Sequence, residues 1–144
     1  MCGFGFLQAQ IVGGIAFSAT GPPGNWVPQF ANLMLLICAG TALGLCISSL
    51  SNSEEMAVAL VPVAIIPQIV LAGVVSTLPD FPELIARSGI TVYWGVKAAM
   101  NLPNYHRLTA SFEPSLSVSF SVIAIHALVY LLGAWVGIRK SQRD

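Results

Sequence analysis

The chain alternates between long apolar runs and short polar interruptions. No Asp, Glu, Lys or Arg precedes Glu54, none lies between Glu55 and Asp80, and none lies between Glu113 and Arg139. A backbone in hydrocarbon must satisfy its own N–H and C=O groups, which a helix does and an irregular segment does not. The charge-free runs therefore predict an all-α, polytopic transmembrane helical bundle. About four spans are expected, near 1–19, 27–50, 56–75 and 118–138, with an outer helical loop over 76–117.

The first run, Met1 to about Ala19, is marginal in length for a span and is punctuated by Gly3, Gly5, Gly13 and Gly14. It lacks the basic leader of a signal peptide, so it reads as the later part of a helix that begins outside this chain. Gly21-Pro22-Pro23-Gly24-Asn25 then imposes a turn. The second run holds about 24 residues, about 36 Å of helix against a hydrocarbon core of about 30 Å. Trp26 suits an interfacial anchor and Pro28 a first-turn position. Gly40, Gly44 and Ser48 recur every four residues and form a small-residue stripe on which another helix can pack closely.

Ser51-Asn52-Ser53 offers capping side chains to the third run. Glu54 and Glu55 follow at the positive end of its dipole, a more economical role than docking an ATPase. Pro62 and Pro67 each remove a backbone hydrogen bond, giving a fixed kink or a hinge. Gln68 places an amide near mid-span, where it needs a protein partner or a water-filled path. In the outer loop, Pro79 and Pro82 open a short amphipathic segment, Glu83 to Arg87. Tyr93 to Met100 predicts a second short helix at the interface, with Tyr93, Trp94 and Tyr105 at headgroup level.

Composition agrees with bilayer as the solvent. Hydrophobic residues make up 56% of the 144 and charged residues 8%, against roughly 25% charged in ordinary globular proteins. Net charge is zero and no basic patch exists, which excludes the nucleic-acid binders. Cys2, Cys38 and Cys46 lie in apolar runs. The last two are about 12 Å apart along a helix, beyond disulfide reach, so they read as buried, reduced and inert. No CxxC spacing, metal cluster, carboxylate dyad or nucleophile–base pair occurs. Asp80 and Glu83 sit at a proline-rich helix start, where acids are favoured by the dipole.

The tail Arg139-Lys140-Ser141-Gln142-Arg143-Asp144 packs three cations into six residues. By the positive-inside bias it is expected to be cytoplasmic. The Ser51–Glu55 turn then lies inside and the Ser76–Ser117 region outside, although the latter also carries Arg87, Lys97 and Arg107 among acids.

Ser53-Glu54-Glu55-Met56-Ala57, then Leu60-Val61-Pro62, then Ile66-Pro67-Gln68-Ile69-Val70-Leu71-Ala72-Gly73 form an ordered set. Leu78-Pro79, Pro82 and Ile85 follow, and then Tyr93-Trp94-Gly95 leading to Lys97-Ala98-Ala99. From about Gln29 onward this resembles the C-terminal portion of the membrane domain of white-type ABC half-transporters of bacterial style, within the ABC-2 class of exporter permeases. The resemblance implies the third (partial) to sixth helices of a six-helix permease half, with re-entrant helices in the outer loop. It implies a substrate path lined by the third run through Gln68, Gly73, Val74 and Val75, the two valines standing where relatives place an outer gate. It further implies a bacterial inner-membrane location, an ABC ATPase partner, a second permease half in a homodimer, and ATP with Mg at a separate ATPase domain. No cofactor is expected on this chain, which has no G-x-x-x-x-G-K-[ST] loop and no LSGGQ-like motif; it is expected not to hydrolyse ATP by itself. It reads as a C-terminal fragment or a split subunit.

Each of these roles has a plainer competitor. Gln68 can bond a neighbouring helix or a carbonyl freed by Pro67. His126 lies mid-span with no acid three or four positions away, which favours a packed or hydrogen-bonded ring over a proton relay. Gly133-x-x-x-Gly137 has packing spacing, yet one such match is near chance in a glycine-rich span. A non-transporting membrane scaffold or assembly subunit is the alternative function, and a degraded gene remnant a third reading.

Overall fold

The structure, a computed structural model, describes residues 7, 8, 10–15, 18, 26–72, 80–100 and 115–141. Five helices are delimited: α1 Trp26–Leu50, α2 Glu54–Val70, α3 Asp80–Gly89, α4 Thr91–Met100 and α5 Leu116–Ser141. The described residues of the first run are helical as well. The rest of that run, the Gly21–Asn25 turn, Cys2 and Tyr105 lie outside the described residues, among which no strand occurs.

Two helices are long and apolar enough to cross a bilayer, over Val27–Leu50 and Leu116–Lys140. They pack side by side and run parallel. A Cβ built on Gly133 would meet Cys46 Sγ at 2.7 Å, and one on Gly137 would meet the Ser49 backbone oxygen at 2.6 Å. Each step along α1 is thus matched by a step in the same direction along α5. Ala39, Ala42, Ile123 and Ala134 are buried along these two helices; the three alanines are small side chains that let the axes approach.

The pairing bears on three expectations. The stripe of Gly40, Gly44 and Ser48 faces away from α5: a Cβ on either glycine would meet nothing within 4 Å, and Ser48 is exposed. The close approach inside the chain falls on Gly133 and Gly137 instead. Cys38 is exposed and Cys46 half-buried, both free, because Cys38 sits beside Ala39 on the outward flank of α1.

The third run also differs from the expected 56–75. Ser53 caps it, accepting from the Met56 N–H at 3.2 Å, so the helix begins at Glu54 and takes both glutamates into its first turn. It passes through Pro62 and Pro67 and closes in a turn where the Leu71 N–H bonds the Pro67 carbonyl at 2.9 Å and the Ala72 N–H the Ile69 carbonyl at 3.3 Å. Its 17 residues make about 25 Å of helix, less than the core of a bilayer. No residue of α2 is buried.

The last span is longer than expected, since Leu116–Ser141 carries Arg139 and Lys140 into its final turn. There the Arg139 guanidinium lies 3.8 Å from the centre of the Trp135 ring.

Candidate functional site at the elbow of the outer helices

α3 and α4 are joined by Ile90 alone, a sharp elbow after Gly89. Contacts of the elbow set its depth. Thr91 Oγ1 lies 3.2 Å from His126 Nδ1 and 3.1 Å from Tyr130 OH, and these two residues are near the middle of α5. From there α4 climbs outward, so that Asn32 Nδ2 near the start of α1 donates to the Gly95 carbonyl at 2.9 Å. A Cβ on Gly95 would strike Leu36 Cδ1 at 2.6 Å; glycine is what lets the α4 backbone rest on α1. The expected interfacial helix is therefore a dipping one.

Gln68 ends up here. Its Oε1 accepts from the Val92 N–H at 3.1 Å, supplying a partner to one of the free donors at the start of α4. That bond also settles the amide's orientation, since a backbone N–H needs the oxygen and not the nitrogen facing it. The elbow is thus held from both sides, by Gln68 of α2 and by His126 and Tyr130 of α5. A hydroxyl has one proton to give: with Nδ1 accepting, Thr91 donates to His126 and accepts from Tyr130.

Above the elbow lies a polar cluster within an apolar cap. Arg87 Nη2 and Glu83 Oε1 are 2.9 Å apart, one turn of α3. The Tyr93 hydroxyl donates to the same oxygen at 2.9 Å, and Trp94 Nε1 donates to the Arg87 carbonyl at 3.0 Å. The Tyr93 and Trp94 rings meet edge to face at 5.9 Å, with Lys97 Nζ 5.4 Å from the Tyr93 ring centre. Burial pushes the Glu83 carboxyl up, but the bonds from Tyr93 and Arg87 and the charges of Arg87 and Lys97 outweigh it, leaving Glu83 below its ordinary value. Tyr93 is raised by burial and then by its bond to Glu83. Tyr93 and Trp94, expected at headgroup level, are instead core residues, 2% and 6% exposed, because their polar tips are consumed by α3. Glu83 likewise serves an ion pair and not merely a helix start.

Of the expected path residues the structure brings only Gln68 to the elbow; Gly73, Val74 and Val75 lie outside the described residues. Thr91, Tyr130 and Asn32 are contributors that the sequence pattern does not single out. One signal was available: His126 and Tyr130 stand four apart on an otherwise apolar helix, hence on one face, and two polar groups there call for a partner. Among the described residues no group of acids, cysteines and histidines is placed to hold a metal.

No curated protein matches the chain. The profile of a known family does, over residues 2–102. That match takes in the first apolar run, which the resemblance from Gln29 onward had not reached, and stops short of α5. A stretch covering most of the chain, on helices apolar enough for a membrane, decides the matter: the chain belongs to the ABC-2 type transporter family and is a membrane permease component of an ABC transporter.

Proposed function

We infer that this permease works in an ATP-driven exporter of the white type, in a bacterial inner membrane, paired with a second permease half. ATP and Mg act at a separate ATPase domain, and this chain binds no cofactor of its own. ATP binding there draws the halves together and rocks the helices, so that the path closes inside and opens outside. The reading is carried by the family match over residues 2–102. It is supported by α2, which offers apolar side chains such as Val58, Val63 and Ile69 outward and buries none within the chain. The path is assigned to this helix, through Gln68 and the Gly73, Val74 and Val75 that follow it in sequence. Pro62 and Pro67 give it the broken backbone bonding that a hinge requires.

A cysteine at Gln68, in a background without Cys2, Cys38 and Cys46, tests this in the assembled transporter. Labelling by a membrane-impermeant thiol reagent that changes when the ATPase binds nucleotide is the expected result. Protection in every nucleotide state would leave the chain a scaffold.

A further inference from the structure

Three buried oxygens near the outer end of the α1–α5 pair have no hydrogen-bond partner among the described residues: Gln29 Oε1, Asn32 Oδ1 and Ser119 Oγ. Asn32 is 4% exposed and Ser119 0%, and buried polar atoms in native proteins are rarely left without a partner. The helix pairing sets all three at the same end of the two helices. Leu36 packs against the apolar cluster that holds Ile123. Asn32 lies one turn before Leu36 on α1, and Ser119 one turn before Ile123 on the parallel α5, so the two stand at one level, one turn farther out. The offset between them is the one seen at Cys46 and Gly133. Gln29 stands a further turn out on the Asn32 face. The orientation of Asn32 is settled by its nitrogen, which donates to the Gly95 carbonyl, so its oxygen points elsewhere.

Two of the three oxygens are amide carbonyls, which only accept, and the third is a hydroxyl, which does either. The complement is a small species with two protons to give and a lone pair to receive. A hard cation such as calcium would want six to eight oxygens, carboxylates commonly among them, and these three include none. We propose that Gln29, Asn32 and Ser119 form a binding site for one internal water molecule. It donates to Asn32 Oδ1 and Gln29 Oε1 and accepts from the Ser119 hydroxyl, the three bonds typical of a buried water. Asn32 already ties α1 to α4 through Gly95; the water ties the same residue to α5. The outer ends of three helices then share one hydrogen-bonded node.

The test is water-edited solid-state NMR on the full protein in lipid bilayers, with its asparagines labelled with nitrogen-15. The expected result is magnetisation transfer from water to the Asn32 side-chain amide despite its burial. That transfer is lost in Ser119→Val, which puts a methyl where the hydroxyl held the water, and kept in Ser119→Thr, a side chain of the same shape that retains the hydroxyl. An Asn32 amide that receives no water magnetisation in the unaltered protein overturns the proposal, and a direct Ser119–Asn32 bond would produce that outcome. Transfer that persists undiminished in Ser119→Val overturns it too. Asn32→Ser assigns the peak by loss of the amide signal; should Ser119→Val not fold, the transfer seen or missing in the unaltered protein still decides.

Discussion

At the scale of single residues, the four glycines of the long helices separate into two kinds that look alike in sequence. Gly133 and Gly137 are four apart, as are Gly40 and Gly44, yet only the first pair meets another helix within the chain. Gly137→Ala drives a methyl into the Ser49 backbone, which cannot swing aside as a side chain can. A loss of roughly 1–3 kcal/mol is expected, the usual cost of overpacking, read as a lower unfolding midpoint in lipid nanodiscs. Gly44→Ala is expected to change that midpoint by less than about 0.5 kcal/mol, as for exposed substitutions generally. Equal losses at the two sites would refute the assignment of the packing face. Spacing alone did not separate these pairs, because it reports that a face exists and not which face is covered. Glu83 supplies a pH test. Its carboxyl is held below the ordinary 4.5, so its contribution to stability is complete above that pH and disappears as pH falls through the lowered folded-state value. Glu83→Gln removes a titrating partner of Tyr93 and Arg87, and unfolding midpoints taken across the acid range should fall less steeply in the variant than in the parent.

Among elements, the elbow between α3 and α4 shows how far a sequence can be read and where reading stops. That Gln68 requires a partner follows from an amide in an apolar run. That the partner is the N–H of Val92 does not, because it lies 24 residues along the chain, across a connection whose path no local pattern dictates. His126 is similar: its lack of an acid nearby favoured a hydrogen-bonded ring over a relay, while its bond to Thr91 depended on how deeply α4 dips. Helix existence and type were legible for every delimited helix; the end of α2 was not, since hydrophobicity continues past Val70 although the helix turns out at Leu71 and Ala72. Gln68→Leu should speed hydrogen exchange at the Val92 amide about fivefold to tenfold, the equivalent of roughly 1 kcal/mol for a net hydrogen bond. Gln68→Glu keeps an acceptor in place and should leave that amide protected. If leucine and glutamate behave alike at this amide, Gln68 does not hold the elbow.

For the whole molecule, the parallel course of α1 and α5 constrains topology more firmly than charge does. Two spans that run the same way require the chain to come back between Leu50 and Leu116. α2 is the element that does it: it starts beside the C-terminal end of α1, at the Ser51–Ser53 turn, and brings Gln68 to Val92 at mid-depth. Its 17 residues fall short of a bilayer's thickness by themselves, yet they need only reach the elbow, which has descended to meet them. Charge then sets the sign of the whole arrangement, with Arg139 and Lys140 in the last turn of α5 and Arg143 just beyond. The expected topology has the Ser51–Glu55 turn and the tail in the cytoplasm, and the outer helices on the other side. Single cysteines at Asn52, at Ser141 and at Phe81, which is 72% exposed, in a cysteine-free background in intact cells, separate the alternatives. An impermeant thiol reagent should label the Phe81 position directly, and the other two only after the cells are opened. Labelling of Asn52 and Phe81 from the same side would mean that α2 does not return the chain. The return demanded by the parallel pair would then have to fall between Phe81 and Leu116.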